Sequence, residues 1–136
     1  MVMLGLVEYL VAHNVPLDGV GFQGHVYQMP RDNVDPDILD QIVTRIQQLG
    51  LKINLRILEM DDTGADPVAQ AKQYSAVLAW CLKNGVDFTT WGLTDRYGST
   101  ASVNNNGILV PGDNLPWIAD YRPKPAEIAM RQVLKS

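Results

Sequence analysis

The sequence predicts an α/β fold in which parallel strands alternate with crossover helices, and three observations carry that prediction. Three β-like segments, Gly19-Val-Gly-Phe-Gln-Gly-His25, Leu51-Lys-Ile-Asn-Leu-Arg-Ile-Leu-Glu59 and Gly85-Val-Asp-Phe-Thr-Thr-Trp-Gly92, recur at a fixed interval. Their first core positions, Val20, Ile53 and Val86, are 33 residues apart each time. Helical stretches fill the spaces between them, and polar or aromatic residues collect at their C-terminal ends. Such alternation means a parallel sheet with right-handed crossovers. The interval is close to the roughly 31 residues that one βα unit takes in a (β/α)8 barrel. Three strands cannot close a barrel and leave their edges open. The expectation is therefore a partial (β/α)8 TIM barrel, one domain over residues 1–136, that rearranges, pairs with another copy or belongs to something longer.

Each element has its own justification. Residues 1–13 are rich in apolar side chains and read as an amphipathic helix. They lack a basic start, Glu8 interrupts the run and no small-residue cleavage site follows, so they do not form a signal peptide. The run is also too short to span a bilayer. Asp35-Pro36 opens the second helix, with Asp as N-cap and Pro at the first helical position. Ile38, Leu39, Ile42, Val43, Ile46 and Leu49 fall on one face, and Gly50 ends it. Asp66-Pro67 opens the third in the same way, with Ala71, Tyr74, Val77, Leu78, Cys81 and Leu82 on its apolar face and Gly85 at its close. A last helix starts near Pro125 and presents Ile128, Ala129, Val133 and Leu134. The stretch from Arg96 to Tyr121 is expected to be irregular and to lie at the C-terminal end of the sheet, where such folds place their sites.

Composition excludes several classes. Hydrophobic residues make up 46% and charged residues 19%, which argues against disorder. The formal net charge is −4 and no basic stripe exists, so neither nucleic acid nor an anionic membrane is an expected partner. A mild negative charge suits a neutral substrate such as a polysaccharide. The single cysteine, Cys81, forms no intrachain disulfide and is expected to pack in the core. No metal-ligand spacing and no Walker A pattern occur. Gly19-Val-Gly-Phe-Gln-Gly24 matches the dinucleotide fingerprint, but Pro16 and Asp18 crowd the preceding segment and no helical pattern follows before Pro30.

The strand ends hold the candidate chemistry. The first ends in Gln23 and His25, the second in Glu59 and Asp61, the third in Trp91 and Asp95. In a parallel array these ends share one face. Glu59 follows an apolar strand and is placed at the rim, where a carboxylate can attack an anomeric carbon. Asp61, two residues on, can hold a neighbouring imidazole in one tautomer, and His25 is the natural partner of both carboxylates. Trp91 can form an apolar floor for a sugar ring. Trp80 reads as mid-helix packing, Trp117 as either packing or site, and His13 as a solvated helix-end residue.

These residues resemble a known family. Asp18-Gly-Val-Gly-Phe-Gln-Gly-His25 is similar to the sixth-strand motif of family 10 glycoside hydrolases, which are retaining β-1,4-xylanases. Ile57-Leu-Glu-Met-Asp61 resembles their seventh-strand Ile-Thr-Glu-Leu-Asp, and Trp91-Gly-Leu-Thr-Asp95 their eighth-strand Trp-Gly-Val-Thr-Asp. Gln70-Ala with Tyr74 matches the helix between, and Pro123-Lys-Pro-Ala126 the opening of the last helix. The resemblance implies that the three strands are the sixth to eighth of the barrel. It implies Glu59 as nucleophile, His25 hydrogen-bonded to it, Asp61 supporting that histidine, Gln23 and Trp91 around the reacting sugar, and Asp95 with them among the substrate-binding candidates. It implies xylan or xylo-oligosaccharide as substrate, no organic cofactor and an extracellular parent enzyme; the unclosed sheet suggests either self-association or a complementing N-terminal half.

The chain also departs from the family pattern. The acid/base glutamate belongs to an Asn-Glu motif on the fourth strand, and no such strand is present. Leu58 replaces the usual Thr or Ser. Tyr97-Gly-Ser-Thr100 lacks the tryptophan common after the eighth strand, and the loop from Ser99 to Pro116 is unlike the usual one.

Overall fold

The structure, a computed structural model, describes residues 2–26, 36–60, 66–98 and 100–136. Helices and strands alternate as α1 (Val2–Ala12), β1 (Gly19–Val26), α2 (Pro36–Gln48), β2 (Lys52–Met60), α3 (Pro67–Asn84) and β3 (Asp87–Thr90). A loop follows that contains a 3-10 turn over Asp95–Tyr97 and a two-stranded ribbon, β4 (Ser102–Val103) with β5 (Leu109–Val110). The chain ends on α4 (Pro125–Val133). β1, β2 and β3 form a parallel sheet in that order, with Val20 paired to Ile53 and Leu55 to Phe88. This is the predicted α/β arrangement.

The helix ends follow from local chemistry. Asp66 caps α3 by accepting the Val68 amide at 2.9 Å, and Pro67 fills a position that needs no donor. Gly85 closes α3 with φ 64, a left-handed conformation that costs glycine little. It is therefore a cap rather than the start of the third strand, which runs over four residues only.

Alternation along the strands divides the sheet into two faces. Ile53 and Val86 are buried, and Val20, Phe22 and Phe88 are partly buried, in one cluster with Val43, Ile46 and Cys81 from the helices. A second cluster joins α3 to α4 through Ala71, Tyr74, Leu78, Ala126 and Met130. The opposite face carries Gly19, Gly21, Gln23, Lys52, Asp87 and Thr89, all exposed. Gly19 stands where a Cβ would meet the Lys52 carbonyl oxygen at 2.7 Å. It permits close approach of β1 and β2, so the apparent dinucleotide fingerprint is strand chemistry.

Three expectations are corrected. α1 is apolar on most sides rather than amphipathic: Val7 is buried, but Met3, Leu6 and Tyr9 are exposed. α4 turns Ala126 and Met130 inward and leaves Ile128 and Leu134 exposed. The seam has i, i+3, i+4, i+7 spacing (126, 129, 130, 133), so the expected face was rotated toward solvent. The stretch after Arg96 is partly regular, because Asn104 turns the ribbon by accepting the Asn106 and Ile108 amides at 3.0 Å each.

Cys81 is buried as expected, and burial pushes its thiol up to about 11, which makes it unreactive. Trp80 packs beside the main cluster and donates its indole N–H to Asp40 at 2.5 Å. His13 accords with a helix-end role, with Nδ1 2.8 Å from the Tyr9 carbonyl.

Ile46 is fully buried and Ile38, on the same helix, is 49% exposed. Ile46→Ala is expected to lower stability by about 2–5 kcal/mol through lost burial and a cavity. Ile38→Ala is expected to stay within about 0.5 kcal/mol. Urea midpoints of the two variants check this difference.

Candidate active site

The three strands bring their C-terminal ends to one side of the molecule. Gln23 and Trp91 are both exposed there, Trp91 at 51%, beside the turn that ends β3. Gly92 makes that turn at φ 124, and Thr90 Oγ donates to its carbonyl at 2.8 Å. His25 and Glu59 are placed by their backbones, and Asp61 lies outside the described residues.

The register holds the most specific feature of the site. From Gln23 to His25, β1 advances two residues while β2 advances three, from Arg56 to Glu59. Between Leu55 and Leu58, β2 again takes three residues where β3 takes two, from Phe88 to Thr90. β2 thus carries one extra residue against both neighbours, a bulge just before Glu59. Without it, His25 would stand beside Leu58; with it, His25 pairs with Glu59. A one-residue shift exchanges the faces of a strand beyond it.

Asp95, grouped with Gln23 and Trp91 as a substrate-binding candidate, has a different setting. It is 4% exposed. One carboxylate oxygen accepts the Leu115 amide at 2.8 Å and the other accepts Lys124 Nζ at 3.1 Å. Both oxygens are engaged within the chain, so Asp95 anchors the loop.

Motif residues that sequence reasoning left without a role hold the same loop. Gln70 Nε2 donates to the Asp113 carbonyl at 2.7 Å, and Lys124 Nζ donates to it at 2.5 Å. The Tyr74 hydroxyl donates to the Asn114 carbonyl at 2.7 Å. Thr94 and Pro123 both bridge to Trp117, whose backbone is thereby part of the scaffold. The signal was present, since Gln70, Tyr74 and Lys124 belong to the motifs. Their spacing within single helices gave no sign that they meet across about 40 residues of chain. A cleft of about 450 Å³ opens beside this anchor, lined by Asp66, Gln70, Asp113 and Lys124 among others, but neither Gln23 nor Trp91 borders it.

Burial dominates the electrostatics of Asp95 and raises its carboxyl above the ordinary value of 3.8. The Leu115 amide and Lys124 pull it down, and the nearby Asp113 adds to the rise. The folded chain therefore holds this proton more tightly than the unfolded chain. The associated stability is complete below the unfolded value and is lost as pH rises through the folded one.

Comparison with known proteins completes the description. The profile of Glycosyl hydrolase family 10 matches residues 1–133. An endo-1,4-β-xylanase of Agaricus bisporus is 32% identical over 137 residues, covering 91% of this chain and 37% of that protein. Endo-1,4-β-xylanase B of Neocallimastix patriciarum is 29% identical, covering 96% of this chain and 14% of that one. Among solved structures, xylanase 10B from Thermotoga maritima superposes with a TM-score of 0.79 at 26% identity, over 98% of this chain and 41% of that chain. A glycosylated endo-β-1,4-xylanase from Gloeophyllum trabeum gives 0.75 at 32% identity, over 98% and 42%. The chain spans well under half the length of these relatives, and its sheet is part of a (β/α)8 barrel.

Two measurements test the anchor. Lys124→Met leaves a buried carboxylate without its counter-charge and is expected to cost about 3–5 kcal/mol, read from urea unfolding. The stability advantage of the native chain over Asp95→Asn is expected to shrink as pH rises from below the ordinary carboxyl value of 3.8 through the raised folded one. An advantage that grows with pH would reverse the assigned direction.

The likeness of sequence over residues 1–133 and of backbone over nearly the whole chain gives one conclusion: this protein belongs to glycosyl hydrolase family 10.

Proposed function

We propose that this chain carries the nucleophile half of a retaining β-1,4-xylanase site. The observation that supports this best is the register of β1 against β2, which sets Glu59 beside His25 across a bulge. In the proposed reaction the Glu59 carboxylate attacks the anomeric carbon of a xylosyl unit. An acid protonates the departing glycosidic oxygen, and water then releases the sugar from the enzyme with retained configuration. His25 orients the nucleophile, Asp61 fixes the histidine tautomer, Gln23 hydrogen-bonds the reacting sugar and Trp91 stacks beneath it.

The acid needs a second carboxyl group about 5–5.5 Å from the first. Asp95 does not supply it, because its oxygens serve Lys124 and Leu115. A positioned acid is worth ~10²–10⁴ in rate. The isolated chain is therefore expected to hydrolyse xylan at least ~10²-fold more slowly than a complete enzyme. The names of relatives such as two endo-1,4-β-xylanases and a celloxylanase support xylan as the polymer of the parent enzyme, and action outside the cell where that polymer lies. A second reading is a module that binds sugar without cleaving it, favoured by the open aromatic face of Trp91.

A 2-fluoro xylobioside with a very good leaving group separates the two, since it needs the nucleophile and hardly needs the acid. Mass spectrometry is expected to find one covalent adduct, on Glu59, that Glu59→Gln abolishes. Saturable binding of xylobiose with no adduct would leave the binding module as the function.

A further inference from the structure

We infer that Asn106, at the tip of the β4–β5 ribbon, is a site of spontaneous covalent modification. It deamidates through a cyclic imide closed by Gly107, while the fold protects the other Asn-Gly pair of the chain, Asn84-Gly85. The inference concerns the loop after β3 and is independent of the role given to Glu59.

An asparagine side chain is open to attack by the backbone nitrogen that follows it. Glycine in that following position hinders the attack least, because it has no Cβ and rotates freely in φ and ψ. The pair occurs twice in the sequence, at Asn84-Gly85 and at Asn106-Gly107, and sequence alone does not separate the two. The structure does. Asn84 is the last residue of α3. Its Nδ2 donates to the Trp80 carbonyl at 3.0 Å and to Asp40 at 3.5 Å, and its carbonyl accepts Gln47 Nε2 at 3.0 Å. The Gly85 amide, the would-be nucleophile, donates back into the helix, to the carbonyls of Cys81 and Leu82. Val86 follows, buried, and donates to the Cys81 carbonyl at 2.9 Å. Imide closure there requires unwinding the end of a helix packed on the main core.

Asn106 has the opposite setting. Residues 102–110 are all exposed. The Asn106 side chain takes no part in a hydrogen bond among the described residues, and its backbone amide donates to Asn104 Oδ1 at 3.0 Å. The attacking nitrogen, that of Gly107, is restrained by a bond to the Asn104 carbonyl at 2.9 Å. A ribbon with two paired positions, Ser102 with Val110 and Val103 with Leu109, opens locally at little cost. Opening frees the Gly107 nitrogen while the rest of the chain stays folded.

The chemistry needs water and no other reagent. The Gly107 nitrogen gives up its proton and bonds to Asn106 Cγ. The bond from Cγ to the side-chain nitrogen breaks, and that nitrogen leaves as ammonia with the proton. Water then opens either carbonyl of the imide, giving aspartate or isoaspartate. Each product carries a new negative charge, and isoaspartate adds a carbon atom to the main chain of the turn. The bond from Gly107 to Asn104 and the short ribbon pairing do not fit the lengthened turn. The contacts that hold the loop, Thr100 to Asn114 and Lys124 to Asp95, lie outside the ribbon and are untouched.

The test incubates the 136-residue chain in mildly alkaline buffer, both folded and in concentrated urea. Peptide mapping by mass spectrometry follows amide-to-acid conversion and the isoaspartate form at each pair. In urea the two pairs are expected to convert at similar rates. In the folded chain Asn106 is expected to convert at least ~10-fold faster than Asn84, the difference between opening a ribbon tip and opening a helix end. Asn106→Gln, whose longer side chain closes an imide far less readily, is expected to abolish the fast conversion. Amide exchange in the aged chain is expected to quicken over residues 102–110 and to stay unchanged over residues 67–84. Equal rates at the two pairs in the folded chain overturn the inference. So does protection of Asn106, relative to urea, as deep as that of Asn84, or a fast conversion that survives in Asn106→Gln.

Discussion

Parallel strands have to be covered on both faces, and that requirement governs this molecule more than any single contact. Crossover helices cover one face by construction, because each strand is reached through a helix. The cluster of Val43, Ile46, Ile53, Cys81 and Val86 is that covered face, and it is complete. The other face holds Lys52, Asn54 and Asp87 instead of aliphatic residues, with Asn54 Nδ2 3.4 Å from Asp87 Oδ2. In a closed barrel such residues lie in a lined interior, where they find partners on strands opposite. In this chain one wall is built, and its polar lining faces outward.

Loop placement follows a different logic. The segment from Gly92 to Tyr121 is long for a connection, and length alone would make it costly to order. A buried ion pair, Asp95 with Lys124, ties its beginning to the N-cap of α4. Gln70 and Tyr74 tie its far limb to α3. Buried charges are dear to desolvate, and a pair like this is weak evidence for stability in itself. Its value is geometric: the pair accepts one arrangement of the loop, and that arrangement sets the turn bearing Trp91.

What was legible in the sequence was local. Asp66-Pro67 and Gly85 bound α3 because capping is chemistry of adjacent residues. The 33-residue interval announced the sheet order because every βα unit repeats one path. What was illegible is long-range. Asp95 read as a rim carboxylate because its partner lies 29 residues away. The buried face of α4 could not be chosen between two apolar stripes until α3 stood against one of them. The bulge in β2 is invisible from β2 alone, since register belongs to pairs of strands. At the site, the placement of Gln23 and Trp91 at one end of the sheet was foreseen from strand ends, whereas the residues that hold the loop after β3 were seen as motif letters without contacts.

The bulge also explains how a single strand can serve the core and the chemistry. β2 begins with Ile53 in the covered cluster and reaches Glu59 six residues later. Six residues is an even step, and strict alternation would return position 59 to the face of Ile53. One inserted residue between Leu55 and Leu58 breaks that parity against both neighbours at once. The strand can therefore keep Ile53 for the helices early on and still set the backbone of Glu59 beside that of His25 at its end. Without the bulge, Leu58 would stand beside His25, and the pairing with Glu59 on which the proposed chemistry depends would be lost.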